Sequence, residues 1–427
     1  MKRLFQLSLV LFSLCLTAQT NSIKNSPALI AANPSSQGMS PERLDRIDLM
    51  LKNEISKDNL PGAVALIARN GKVVFHEAYG MANSEKGKEM EKDAIFRIAS
   101  QTKAITATAV MILWEEGKFK LDDPISKYIP QFEAAQILDT FNEADSTYTT
   151  KPAENQITIR DLITHTSGIG YGMIDGDERF RKIYAKAGII DAFTSKKILI
   201  GDNIKKLATL PLHHEPGEAW TYSEGLDVLG YLIEIVSGMP FDEFLSTRIF
   251  EPLQMNDTYF YLPKEKADRL VSVQYKDGNK WKNFSTPVFE IDYPNSGGTF
   301  FSGGAGLSST AKDYATFLQM YLNGGELNGK RLLSRTTVYS ILSNQIGTIW
   351  DGGKDYGLAF EIVNEKGAMS GGEGSEGTFS WGGYFNTQYF ADPQENIIGI
   401  IMKQTQGPVN DYTGWKFRQM VFTAIDD

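Results

Sequence analysis

The stretch Ala63-Val-Ala-Leu-Ile-Ala-Arg69, Asn70-Gly71, Lys72-Val-Val-Phe-His-Glu-Ala78 reads as two strands joined by a two-residue turn. Asn-Gly is the pair that most readily adopts the positive φ angles of a tight hairpin, and apolar and β-branched residues crowd both arms. Upstream, Leu44, Ile47, Leu51 and Ile55 fall at helical spacing behind Ser40-Pro41, an N-cap followed by a first-turn proline. Downstream, a helical pattern over 311–322 gives way to apolar alternation over 356–363, 377–390 and 397–402, the last two separated by an Asp392-Pro393 turn. Strand signals therefore sit at both ends of the chain. Residues 121–284 read as mostly helical and loop-like, with aromatics, glycines and charges interleaved and a clear helix over 226–236. The architecture expected is α/β (α+β): an antiparallel sheet built from 38–120 and 285–427, flanked by helices, with 121–284 as a large, mostly helical insert.

A chain of 427 residues with 42% hydrophobic composition supports a large core. Its 43 Lys+Arg against 52 Asp+Glu give a formal charge of −9, with no basic cluster to neutralise a run of phosphates, which argues against nucleic acid as a partner. Lys2 and Arg3, the apolar run from Leu4 to Leu16 and Thr17-Ala18-Gln19 have the order of a secretory signal, placed at 1–18. The run falls short of the roughly 20 residues of a membrane span, so an exported, periplasmic or secreted protein is expected. A lipid anchor on Cys15 is the competing reading, against which stands the bulky Leu14 before it. Cys15 is the only cysteine, so the mature chain would carry no thiol and no disulfide. Oligomeric state is not legible.

No G-x-S-x-G occurs. Only four histidines are present (His76, His165, His213 and His214), with no His-Glu-x-x-His, so neither a metal nor a cofactor is implied. Ser100-Gln101-Thr102-Lys103 opens a helical pattern over 102–116 that ends at Gly117. Residues three apart share a helix face, which brings a lysine amine towards a serine hydroxyl that needs a base to become nucleophilic. The competing reading is a helix cap beside a solvated lysine, and Ser309-Thr-Ala-Lys312 repeats the spacing. Two further features point to chemistry. Tyr222-Ser223 follows Glu215-Pro216-Gly217, giving a phenol in a tight turn, and Trp381-Gly382-Gly383-Tyr384 puts paired glycines in a strand where a ligand can approach the backbone.

Taken in order, Phe96-Arg-Ile-Ala-Ser100-Gln-Thr-Lys103, Leu121-Asp-Asp-Pro-Ile125, Ile157-Thr-Ile-Arg-Asp-Leu-Ile-Thr-His-Thr-Ser-Gly168, Glu215-Pro-Gly217, Tyr222-Ser223, Gly304-Ala-Gly-Leu-Ser-Ser309 and Trp381-Gly-Gly383 resemble the serine β-lactamase and penicillin-binding-protein-like hydrolases. The likeness is greatest to the class C β-lactamase-like esterases and peptidases, and it covers nearly all of the chain after the signal. It implies Ser100 as acylated nucleophile, Lys103 as its activating partner and Tyr222 as the phenol sharing acid and base duty. It implies the N–H groups of Ser100 and Tyr384 as the oxyanion hole, with Trp381, Gly382 and Gly383 beside the substrate. It also implies that Ser309 caps the following helix and that the Thr164–Gly168 stretch is structural. Two departures bear on substrate. Glu224 stands where the family usually has Asn, an expected anion, and Trp381 stands where it usually has Lys or His. A lost cation and a gained anion disfavour carboxylate-bearing penicillins and D-Ala-D-Ala peptides, so a small uncharged ester is favoured over a peptide. A non-catalytic penicillin-recognising domain is the alternative from another class. The segment 168–193, with Tyr171, Phe180 and Tyr184, is a candidate wall or lid.

Overall fold

A computed structural model describes residues 28–407 and 411–427; the expected signal over 1–18, Cys15 included, lies outside them. The hairpin forms as read. Strands β1 (Gly62–Arg69) and β2 (Lys72–Asn83) pair antiparallel, and both turn residues take positive φ, 54° at Asn70 and 73° at Gly71. The C-terminal part adds β3 (Lys354–Tyr356), β4 (Glu361–Val363), β5 (Phe379–Gly382), β6 (Gln388–Asp392) and β7 (Ile397–Met402). The strand order is β2-β1-β7-β6-β5-β4-β3, and the short pieces Ile30–Ala31 and Lys88–Glu89 on β2 make nine strands among the described residues. The two chain ends meet where β1 pairs with β7, from Arg69 opposite Ile397 to Val64 opposite Met402.

Every residue of β1 is buried because both faces of the sheet are covered, which erases the alternation of a half-exposed strand. The period-two geometry still sorts side chains. Ala63, Ala65 and Ile67 with Ile397 and Ile401 face helices α1 (Pro41–Ser56) and, at the C-terminus, Thr413–Thr423, through Leu44, Ile47, Leu51, Phe417 and Val421. Val64, Leu66 and Ala68 with Ile398 and Ile400 face the larger core on the other side. There, α2 (Thr102–Glu115) packs on α3 (Gly225–Ser237), and α4 (Ala311–Leu322) lies on β1 and β7. Leu66 is wholly buried in that core, so Leu66→Ala is expected to cost about 2–5 kcal/mol by chemical denaturation, the transfer term plus an unfilled cavity.

Two features differ from the expectations. Helix α2 is enclosed from Thr102 to Leu113 rather than amphipathic, because it runs between the sheet layer and the helices of the central segment. That segment also holds two hairpins, Gln136–Asn142 with Thr147–Pro152 and Gln274–Asp277 with Lys280–Asn283. The arm Thr147–Pro152 is exposed throughout and threonine-rich, so no buried face imprints an apolar pattern on it. Among the described residues no helix is long and apolar enough to cross a membrane.

The resemblance is corrected at Ser309. Ser308–Ser309 pairs antiparallel with Phe96–Arg97, and it is Thr310 whose hydroxyl accepts the Asp313 N–H and caps α4. The serine of the second S-x-x-K is thus held in a strand, its hydroxyl against that of Thr258.

Candidate active site

Ser100 lies in a turn of 3-10 helix, Ala99–Gln101, at the entrance to α2. The turn is fixed from several directions. The amide of Gln404 brackets Arg97, donating to its carbonyl at 3.0 Å and accepting its N–H at 3.2 Å. Ile98 N–H reaches Leu307 O at 3.0 Å, and Tyr314 OH donates to Gln101 O at 2.9 Å. Ala99, next to Ser100, takes φ +43°, a left-handed conformation that costs a residue with a side chain about 1–3 kcal/mol and is retained where surroundings dictate it.

Lys103 is 1% exposed. Its Nζ donates to Gly304 O at 2.8 Å and to Tyr171 OH at 3.4 Å, and it lies 4.5 Å from the ring centre of Tyr222 and 4.9 Å from that of Tyr171. The first turn of α2 therefore aims the amine between two phenol rings, which stack 5.2 Å apart at 16°. The solvated-lysine alternative is removed by this burial. Behind Tyr222 stands His165, 4.8 Å away between ring centres, its Nδ1 paired with Ser223 Oγ at 2.8 Å. Burial, then Lys103, pushes the His165 imidazole well below its usual value, so it is neutral at pH 7 and acts as a prop.

Ser100, Tyr222, Trp381 and Gly382 line one cavity of about 540 Å³, and Trp381 packs on Tyr222 with ring centres 5.9 Å apart. Gly383 is demanded by geometry: a Cβ there would meet the Ile98 carbonyl oxygen at 2.4 Å, so the end of β5 presses directly on the chain leading to Ser100. Ser100 and Tyr384 also border a smaller hollow walled by Tyr171, Phe193 and Phe289. Among the described residues neither the Ser100 N–H nor the Tyr384 N–H has an acceptor. Two cations line the larger cavity, and both are engaged: Lys354 with Glu361 at 2.7 Å and Glu373 at 2.9 Å, Arg418 with Glu373 at 3.4 Å.

The expectation for Glu224 is corrected. It is 1% exposed and is absent from the walls of the cavity. Burial, then the neighbouring Asp191 and Asp227 carboxyls, push its own carboxyl well above the usual range, and its side chain does not face the cavity. Tyr171, given by sequence only as one aromatic of a candidate wall, stands beside Lys103; Phe180 and Tyr184 are buried behind it. Asp191 went unread, although an acid inside Ile189-Ile-Asp-Ala-Phe193 is a legible sign of a buried carboxyl. Among the described residues no group of three or more His, Cys, Asp or Glu side chains is placed to hold a metal ion.

Residues 47–420 match the family model described as Beta-lactamase. The chain belongs to the beta-lactamase family. Among relatives of this beta-lactamase-family chain, esterase EstB of Burkholderia gladioli is 29% identical over 377 residues, covering 84% of this chain and 90% of the esterase. An Escherichia coli (strain K12) protein provisionally named a D-alanyl-D-alanine carboxypeptidase is 27% identical over 413 residues, covering 90% and 88%. The solved structure of EstCE1, described as a hydrolase with promiscuous acyltransferase activity, superposes with a TM-score of 0.77 at 24% identity, covering 89% of this chain and 98% of EstCE1. The mixed sheet-and-helix architecture is that of β-lactamases and transpeptidase-like proteins, and the chain is a hydrolase of the beta-lactamase fold.

Proposed function

We propose that the protein is an exported serine esterase acting on small uncharged esters through an acyl-enzyme on Ser100. Ser100 Oγ attacks the ester carbonyl as its proton passes to the Lys103–Tyr222 pair, and the N–H groups of Ser100 and Tyr384 receive the oxyanion. The proton then goes to the leaving alcohol through Tyr222. Water attacks the acyl-enzyme by the same route in reverse, giving the free acid and restoring Ser100. Trp381 and Gly382 flank the acyl or alcohol group. Export is supported by the N-terminal sequence alone.

The observation that carries the ester reading is the charge of the cavity. Trp381 takes the place of a cation, and Lys354 and Arg418 are already bound to Glu361 and Glu373, which leaves no free cation among the described residues along the walls for a substrate carboxylate. A carboxylate-bearing substrate forfeits about 1.5–3 kcal/mol of charge-assisted hydrogen bonding, so a p-nitrophenyl ester is expected to turn over at least about tenfold faster, in kcat/KM, than a cephalosporin or a D-Ala-D-Ala peptide. In parallel, a fluorophosphonate is expected to add to Ser100 by intact mass and peptide mapping. Faster turnover of the peptide would sink the ester reading, and an unlabelled Ser100 would favour a non-catalytic binding domain.

A further inference from the structure

The segment 403–406, which leaves β7, is hydrogen-bonded both to the chain approaching Ser100 and to the loop that carries Tyr384. At the first, the Gln404 amide brackets Arg97. At the second, Gln406 Nε2 donates to Tyr384 O at 2.7 Å, Thr405 N–H to Phe385 O at 3.1 Å, and Asn386 Nδ2 to Thr405 Oγ1 at 3.0 Å. The loop joins β5 to β6. It is closed by Asn386 N–H on Gly383 O at 2.8 Å and by Gly383 N–H on Thr387 O at 2.8 Å, and Asn386 takes φ +74°. Glycine adopts that left-handed conformation at no steric cost, and asparagine is a second choice. What asparagine adds is an amide, and here it donates also to Asp411 Oδ2 at 2.8 Å. Asp411 is anchored in turn. It pairs with Lys403 Nζ and accepts the Thr413 N–H at 2.9 Å, while Lys403 Nζ donates to Thr413 Oγ1 at 2.8 Å. The Lys403 and Asp411 side chains are 0% and 5% exposed, so water does not compete for these bonds.

We infer that Asn386 is a positioning residue for the oxyanion hole: bound to Thr405 and Asp411, its side chain fixes the loop that presents the Tyr384 N–H. The inference rests on the Ser100 esterase reading, which gives that N–H its role. Asn386 lines neither the cavity nor the smaller hollow at Ser100, so it acts through the loop rather than on substrate. The same short segment steadies the other donor, since Gln404 holds Arg97, three residues before Ser100. The spacing between the two N–H groups is therefore set through 403–406. The buried Lys403–Asp411 pair fastens the start of that segment to the head of the C-terminal helix Thr413–Thr423. Oxyanion donors act at about 2.7–3.1 Å, so a loop free to shift by a fraction of an ångström loses transition-state stabilisation without losing ground-state binding.

Asn386→Gly keeps the backbone conformation and drops the tether; Asn386→Asp keeps the size and faces Asp411 with a second carboxylate. On a p-nitrophenyl ester, kcat is expected to fall about 10-fold in Asn386→Gly and about 100-fold in Asn386→Asp, with KM within about twofold of wild type in both. Rates are taken per Ser100 labelled by a fluorophosphonate, so misfolded copies do not count. Wild-type kcat in Asn386→Gly overturns the inference. So does an Asn386→Asp no slower than Asn386→Gly, since Asp411 would then not act on this side chain. A rise in KM at unchanged kcat would also overturn it, placing Asn386 in substrate binding. Hydrogen–deuterium exchange reads the tether without substrate: the N–H groups at positions 386 and 405 should exchange faster in Asn386→Asp, and unchanged exchange overturns the tether whatever the rates. Failure of the fluorophosphonate to label wild-type Ser100 would defeat the esterase reading instead, and exchange would still decide whether Asn386 holds the loop.

Discussion

Lys103→Met is expected to lower kcat/KM on a p-nitrophenyl ester by about 10³-fold, at the upper part of the range assigned to a positioned acid or base. The variant is informative because the protein should stay folded. Methionine is unbranched and flexible enough for the tunnel between Tyr171 and Tyr222, and the thioether makes favourable contacts with ring edges. What the fold loses is the hydrogen bond to Gly304 O, held at 2.8 Å in the native protein, which leaves a buried carbonyl short of a donor at about 1–3 kcal/mol. What it gains is release from burying a polar amine among aromatic rings. The two oppose each other, so thermal denaturation should move far less than catalysis. A variant keeping a tenth or more of wild-type kcat/KM would show that Tyr222 works without the amine and would remove Lys103 from the mechanism.

Gly383→Ala probes the site from the sheet side. The new methyl meets Ile98 O at 2.4 Å and Thr387 Oγ1 at 2.3 Å. A threonine hydroxyl can swing away, but the Ile98 carbonyl belongs to the backbone that sets φ at Ala99 and direction at Ser100. The end of β5 or the serine turn has to shift by several tenths of an ångström. Displacements of about 1 Å cost near 10²-fold in rate, so a fall in kcat of about 10- to 100-fold is expected, with overpacking of about 1–3 kcal/mol in stability. Gly382→Ala is the internal control. Its Cβ would come no nearer than 3.3 Å, to Thr387 O, so it should retain kcat within a few-fold while narrowing the cavity it lines. Equal kcat losses in the two variants would mean that the glycines serve the ligand rather than the spacing between β5 and the serine turn.

The hairpin at Asn70-Gly71 was legible because turn chemistry and strand pattern are both local, and each independently selects the same pairing. Among the sheet's other strands β7 was announced by its unbroken apolar run, whereas the stretches 356–363 and 377–390, legible only as continuous alternation, each contain a turn between two antiparallel strands, β3 with β4 and β5 with β6. Ser100 and Lys103 were legible only as a spacing, which a cap and a solvated lysine satisfy equally well; what decides between the readings is the burial of Lys103 between two rings contributed from elsewhere in the chain. Glu224 shows the opposite failure. Its charge could be read from its letter, but its protonation depends on Asp191 and Asp227, and only the folded chain brings the former to it. The exposed strand Thr147–Pro152 was missed because a strand with no buried face leaves no apolar imprint.

The pairing of β1 with β7 bears on how the molecule comes to be active. The serine turn and its tryptophan wall belong to opposite ends of the chain, and they meet only when the last central strand has slotted beside the first hairpin. Such long-range closure is slow to form, since the entropy of joining distant segments is spent before their contacts repay it. During that interval Ser100 has no Trp381, no Tyr384 N–H and no strand end pressed against Ile98. Only completion of the sheet, with β7 seated beside β1, brings these groups together.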